Sequence, residues 1–349
     1  TEPYIAVNAG LGSVEQARQQ LEYCNGERDT PMGGLRAQNG NPEAWNVKWW
    51  SIGNEMYGSW QLGHMSTEAF VKKHNSFAEA MRSVDPSIKL VAVGAVGEWD
   101  EMILANSADN MDYISEHFYR QDWHGGGLMT HVKQIPDAIR SIADAHRIYR
   151  NEIPGLTGKD IRICLDEYNY WYGPYIYGEL GTRYFMRDAL GIAAGMNEFS
   201  RQSDIIYMAN YAQTVNVIGC IKTNNTHSVM AATGQVLKLY RQQFGTIPLE
   251  TEGETRPLDV AATLNETSDT LVLSAVNPTW EEITLNVVVK NAEAGFVAEH
   301  WSISGPDDMA YNEPGKTERV LIKGPVRLSN RKTLKIDPYS INIYRIAVN

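Results

Sequence analysis

Through the first 245 or so residues, short apolar runs of strand length alternate with longer stretches whose apolar positions recur at helical spacing. Residues 3–8, 47–52, 89–93, 111–117, 161–165 and 205–208 read as strands. Residues 13–24, 66–83, 98–106, 129–150, 182–200 and 227–244 read as helices, the first capped by Ser13. Residues 25–46, rich in Gly, Asn and Pro, read as a long loop, and 121–127 as a glycine-rich rim loop. This alternation predicts a parallel sheet with helical crossovers. Six strand–helix units are counted where a closed barrel of this type has eight, and six strands also suit an open doubly wound sheet. Polar residues of chemical interest follow several different strands rather than one crevice, which favours the barrel.

Beyond Gly245 the period changes. Residues 260–264, 270–277, 282–289, 296–304, 319–322 and 333–347 alternate apolar and polar positions between Asn-Pro, Gly-Pro and Asp-Pro turns, the pattern of an antiparallel sandwich. The expected fold is therefore a (β/α)8-type (TIM) barrel lacking its first two strands, over residues 1–245, followed by a C-terminal antiparallel β-sandwich, jelly-roll-like, over 246–349.

Two predicted strands end alike. VKWWSIGNEMY (47–57) opens at Gly53 and presents Asn54 and Glu55; DIRICLDEYNYWY (160–172) ends in Asp166 and Glu167. Carboxylates at the C-terminal ends of separate parallel strands share one rim of a barrel, where such folds carry their chemistry. A pair of them permits glycoside hydrolysis, one as proton donor and the other as nucleophile or as base for a water. Asp166 and Glu167 point to opposite sides while the strand persists, so one of them faces the mouth. Glu167 lies nearer the rim, ahead of aromatic residues suited to stacking on sugars; Asp166 is expected to be structural, accepting hydrogen bonds from backbone or an arginine. Glu55, with Trp49, Trp50, Tyr57 and Trp60 close in sequence, has the more apolar company, which would raise its pKa as a proton donor needs. The plainer alternative is a helix cap or an ion pair at each strand end.

His117 and Tyr119 (ISEHFYR) occupy another strand end, where a buried, satisfied histidine is the default and no second ligand at helical spacing suggests a metal. Gln213 and Asn216, after IIYMANYAQ, could donate hydrogen bonds to a ligand or simply be solvated. The WHGGG run at 123–127 lacks the frame of a phosphate loop, and no Gly-x-Ser-x-Gly elbow occurs.

A formal net charge of −11 argues against nucleic acid and suits a neutral ligand such as a sugar. No run of about 18 apolar residues predicts a membrane span. Cys24, Cys164 and Cys220 are too scattered for a disulfide framework or zinc, which points to a reducing, cytoplasmic compartment, with an upstream targeting segment left open because the chain starts at Thr1. Neither cofactor nor metal is called for.

Together these stretches resemble glycoside hydrolase family 51, the α-L-arabinofuranosidases. The resemblance is carried by EPYIAVNAG, YCNG, NVKWWSIGNEMYGSWQLGH, SEHFY, LDEYNYWY and ANYAQTVNVI, over residues 2–218. It implies that Glu55 is the general acid/base and Glu167 the nucleophile of a retaining double displacement, with the carboxyls about 5 Å apart. It further implies that Asn54 binds the sugar 2-hydroxyl, that Tyr119, Trp171 and Gln213 line the sugar pocket, and that His117 supports the nucleophile. The implied substrates are arabinan- or arabinoxylan-type carbohydrates, and homo-oligomers are usual in such a family. Two departures, Tyr168 after the nucleophile and Tyr57 after GNEM, would shift subsite preference. The resemblance also implies two barrel strands ahead of residue 1, so the sequence reads as a fragment. An endo-acting glucanase or xylanase on the same fold, or an inactive sugar-binding protein, are the rival expectations.

Overall fold

A computed structural model describes residues 2–121, 126–290, 294–329 and 332–348. Positions 122–125 of the predicted rim loop lie outside them. Six strands form one sheet in chain order: β1 (Tyr4–Val7), β2 (Trp49–Ile52), β3 (Lys89–Ala92), β4 (Tyr113–Arg120), β5 (Arg162–Tyr170) and β6 (Ile206–Tyr211). The pairings from β1 through β4 are parallel, with Ala6 beside Ser51 and Ser51 beside Val91. The connections are helical: α1 (Val14–Asn25), α2 (Pro31–Gln38), α3 (Thr67–Val84), α4 (Glu98–Ser107), α5 (Gly127–Glu152) and α6 (Met186–Arg201), with α7 (Ala232–Gln243) after β6. This is the expected partial barrel of parallel strands, followed along the chain by an antiparallel sheet domain. Among the described residues no helix is long and apolar enough to cross a membrane.

Contacts divide the chain into two compact units. One holds Thr1–His117, Ile142–Asp166 and Ile205–Ala209; the other holds Phe118–Ser141, Glu167–Asp204 and Asn210–Asn349. In the first, Val7, Leu21, Trp50, Ile52, Phe77, Met81 and Leu90 form one apolar cluster, and Phe70, Trp99, Ile103, Ile114 and Ile161 another. Between α4, β4 and α5 a polar knot is buried: His146 Nε2 lies 2.8 Å from Glu116 Oε1 and 3.3 Å from Asp100 Oδ2. Burial and the neighbouring Asp100 push the Glu116 carboxyl well above its usual range. His146 is raised to about 9, its two carboxylate partners outweighing burial.

In the second unit, β10 (Asp259–Leu264), β11 (Thr270–Asn277), β13 (Ala294–Ser304), β14 (Leu321–Leu328) and β16 (Ser340–Val348), with short β9 (Ile247–Leu249), form an antiparallel sheet in the order β14-β13-β16-β11-β10-β9. A second antiparallel pair, β12 (Ile283–Asn286) and β15 (Thr333–Ile336), adds Leu334 and Ile336 to a core with Leu271, Leu273, Tyr344 and Ile346. β11 does not alternate: seven of its eight residues are buried. Its other face is covered by helices, where Tyr240 of α7 meets Ser274 at 2.7 Å and Asn197 of α6 meets Asp259 at 2.8 Å.

Three expectations need correcting. The 25–46 loop contains α2, started by the Thr30 cap and by Pro31 at its first turn. Residues 182–185 are not helical, since Thr182 bonds the Tyr172 carbonyl and α6 starts at Met186. The 227–244 helix begins only at Ala232; before it, β7 (Ile221–Thr223) and β8 (Ser228–Met230) form a hairpin.

Candidate active site

Glu55 stands on a turn rather than a strand. β2 ends at Ile52, Gly53 takes φ +88°, and Glu55 itself has φ +48°. A Cβ on Gly53 would meet Met56 Cγ at 2.9 Å, so glycine is required on both conformational and steric grounds. The turn is closed by Gly58 N–H donating to the Glu55 carbonyl at 2.8 Å. At the side chain, Trp60 Nε1 donates to Oε2 at 2.6 Å and Gln61 Nε2 more weakly at 3.3 Å, while His117 Nδ1 lies 2.9 Å from Oε1. The opposite ring nitrogen, His117 Nε2, lies 3.0 Å from Asp166 Oδ1. The same Nε2 lies 3.2 Å from Ser115 Oγ, so His117 bridges Glu55 to the Ser115–Asp166 pair. Asp166 is further held by Ser115 Oγ at 2.6 Å and by the Tyr4 hydroxyl at 2.7 Å. Glu55 is consequently held below the usual carboxylate range, first by the His117 hydrogen bond, against an opposing push from burial.

That direction is the reverse of the one expected from the surrounding tryptophans. Trp50 is buried with its indole N–H on the Val47 carbonyl, and Trp49 packs on Tyr113 and Tyr207. Trp60 reaches Glu55 through its N–H, which favours the ionised form. Asp166 is a structural acceptor as expected, but its donors are a serine, a tyrosine and a histidine instead of backbone or an arginine.

Glu167 belongs to the second unit and lies within β5. The Tyr119 hydroxyl donates to its Oε2 at 2.7 Å. Tyr119 meets the Trp171 ring edge-on, with centroids 5.2 Å apart, and Trp171 N–H donates to the Arg120 carbonyl at 2.8 Å. These contacts fix the exit of β5 against the end of β4. Strict alternation fails here: Ser115, His117 and Tyr119 share one face of a regular β4, yet they serve both Asp166 and Glu167. The burial pattern of β5 shows the same break, two half-buried residues in succession.

Asn169, two residues past Glu167 and fully buried, donates to the carbonyls of Ala212 and, at 2.7 Å, Ile218. It thereby ties the loop that carries Gln213 to β5. The loop is held further by Tyr184 hydroxyl to Ile218 O at 3.0 Å and Lys222 Nζ to Val217 O at 3.1 Å. Its backbone bends through Asn216 and Val217 at φ +50° and +38°, the latter an unusual value for a β-branched residue. Burial between the Tyr177 and Tyr184 rings lowers the Lys222 pKa to about 7.

Of the residues singled out from sequence, Glu55 and His117 meet in one unit, and Glu167, Tyr119 and Trp171 in the other. Asn54 and Gln213 are exposed, Asn54 beside Glu55 on the turn. Tyr168 is buried among Phe118, Phe199 and Tyr211, so its departure from tryptophan acts through packing and not at a subsite. Sequence reasoning passed over Tyr4, Ser115 and Asn169. Tyr4 and Ser115 sit in strands whose neighbours gave no sign of polar pairing; Asn169, an amide inside an apolar run, was the one readable signal.

Two family models match the chain: the α-L-arabinofuranosidase 1 domain over residues 7–138 and the α-L-arabinofuranosidase C-terminal domain over 166–340. A probable α-L-arabinofuranosidase C of Aspergillus clavatus is 32% identical over 355 residues, 91% of this chain and 69% of that protein. The chain belongs to glycoside hydrolase family 51, the α-L-arabinofuranosidases. Among solved structures, the α-L-arabinofuranosidase of Thermotoga maritima in complex with arabinose superposes with a TM-score of 0.90 at 26% identity, covering 99% of this chain and 76% of that one. The thermostable family 51 enzyme of Thermotoga petrophila gives 0.86 at 27% identity, covering 99% and 75%. Family 51 membership makes the protein a glycosidase with a carbohydrate substrate.

Proposed function

We propose that the protein releases terminal α-L-arabinofuranosyl residues from arabinan- or arabinoxylan-type chains with net retention, Glu167 acting as nucleophile and Glu55 as acid/base. In the first step a Glu167 oxygen forms a bond to the anomeric carbon while the glycosidic C–O bond breaks, and Glu55 gives its proton to the departing oxygen. In the second, Glu55 takes a proton from water as that water's oxygen displaces Glu167, which restores both carboxyls to their starting forms. Glu55, held ionised by His117 in the free protein, is the base this second step needs. The proton that Glu55 takes from water in the second step is the one it gives to the departing oxygen in the next first step, with His117 Nδ1 2.9 Å from Oε1.

The observation that best supports the reading is the unlike fixing of the two glutamates, Glu55 by a histidine and an indole N–H and Glu167 by a tyrosine hydroxyl. Asn54, exposed on the Glu55 turn, is the proposed partner of the 2-hydroxyl, and Tyr119, Trp171 and Gln213 the proposed pocket lining. The anomeric configuration of the first-formed arabinose, followed by proton NMR during hydrolysis of an aryl α-L-arabinofuranoside, tests the proposal. Retention supports it; an inverted first product overturns it.

A further inference from the structure

The connection from β5 to α6 folds into a pocket in the second unit that none of the proposed chemistry uses. It is a cavity of about 400 Å³ walled by Tyr172, Tyr175, Ile176, Phe185 and Arg183, with Gln121 at one side. Its frame is pinned. Thr182 Oγ1 donates to the Tyr172 carbonyl at 2.7 Å, Ile176 N–H to the Gly181 carbonyl at 2.9 Å, and the Tyr172 hydroxyl to Asp188 at 2.5 Å. Tyr175 and Ile176 are 52% and 43% exposed, an apolar surface offered to solvent on an otherwise ordered loop.

Arg183 gives the pocket its character. Its guanidinium lies 3.9 Å from the centroid of the Tyr311 ring, which fixes its plane, and its Nε is buried with no hydrogen-bond partner. Among the described residues no carboxylate pairs with it. The nearby acids are engaged elsewhere: Asp308 with Arg187 at 2.7 Å and Glu313 with Lys316 at 3.0 Å. Arg140 and Arg201 of the same unit, although more exposed than Arg183, both have carboxylate partners. A planar, pre-set guanidinium without a counter-ion, beside tyrosine faces, is suited to a ligand with both a carboxylate and an apolar ring face.

We propose that this pocket is a subsite for a hexuronic acid unit of the polysaccharide that bears the arabinofuranose. The uronate carboxylate pairs with Arg183, and the C–H face of its ring lies on Tyr175. The released arabinofuranose carries no carboxylate, so the uronate belongs to the leaving polysaccharide; Tyr172 follows Glu167 by five residues, at most about 17 Å of extended chain. The assignment rests on the arabinofuranosidase reading for its biological sense, but binding at the pocket is measurable without turnover.

Methyl β-D-glucuronide and neutral methyl β-D-glucoside are titrated into the full chain by ligand-observed NMR, alongside Arg183→Met and Arg183→Lys. The proposal expects the glucuronide to bind more tightly than the glucoside, with about a tenfold loss in Arg183→Met and partial recovery in Arg183→Lys. Turnover of an aryl arabinofuranoside should be unchanged by either substitution. Glucuronide affinity of the unmodified protein should also fall with added salt while glucoside affinity stays level, a readout that stands even if Arg183→Met fails to fold. Equal binding of the two glycosides, or glucuronide binding indifferent to both salt and Arg183, overturns the subsite. Failure of the unmodified protein to turn over the aryl arabinofuranoside would instead strike the function proposed above.

Discussion

Glu55 and Glu167 are the same residue type set in opposite ways. Glu55 sits on a left-handed turn after a glycine, with an indole, an amide and a doubly engaged histidine around its carboxylate. Glu167 sits within β5, and a tyrosine from β4 reaches it. The contrast teaches how one side chain is given two jobs. A carboxylate in hydrogen-bond contact with an imidazole nitrogen has a partner that can give or take a proton, which suits an acid/base. One that accepts from a tyrosine hydroxyl is held in place without such a partner, which suits a nucleophile.

The largest effect should come from breaking the comparison outright. Glu167→Ala is expected to lower kcat on an aryl arabinofuranoside by about 10⁴-fold, with azide restoring turnover as the glycosyl azide of inverted configuration. Glu55→Ala should cost about 10²- to 10⁴-fold on substrates with poor leaving groups and far less on an activated aryl glycoside, because the lost proton then matters less. If the two variants show the same leaving-group dependence, the division of labour is wrong.

A sharper probe is His117→Asn. It removes the first cause holding Glu55 low, so the Glu55 pKa should rise, and the alkaline limb of kcat/KM, which needs Glu55 protonated, should move to higher pH. A pH profile that only loses height, without moving, would show that His117 acts on structure alone.

The smallest expected effects concern the buried knot away from either glutamate. His146 is raised to about 9, above its unfolded value near 6.5. Its stabilising contribution is therefore complete below about pH 6.5 and lost as pH climbs through 9, so the melting temperature should fall across that window and fall less in His146→Gln. Glu116→Gln, which removes one of the two acids facing His146, should flatten the same fall. Thermal melts at pH 6, 7.5 and 9 check both.

What could be read from the sequence divides along a similar line. The parallel strands and the antiparallel strands of the C-terminal part were legible, because burial imposes a period on each. The α2 helix was hidden by its glycines, and only the Thr30-Pro31 start signal carried it. The β7–β8 hairpin was hidden inside a stretch whose later residues are helical. Partnerships were less legible still. Tyr4 lies 162 positions from Asp166, and nothing local to either residue announces the bond. The direction of the Glu55 pKa went unforeseen for the same reason, since it depends on which edge of an indole faces the carboxylate and on a histidine 62 positions away.

The division of roles between the two glutamates is tested most directly by trapping. The protein is inactivated with a 2-deoxy-2-fluoro-α-L-arabinofuranosyl fluoride, digested, and the labelled peptide identified by mass spectrometry. A single sugar adduct on Glu167 is the predicted result; an adduct on Glu55, or hydrolysis of the reagent with no covalent species at any time, would contradict it.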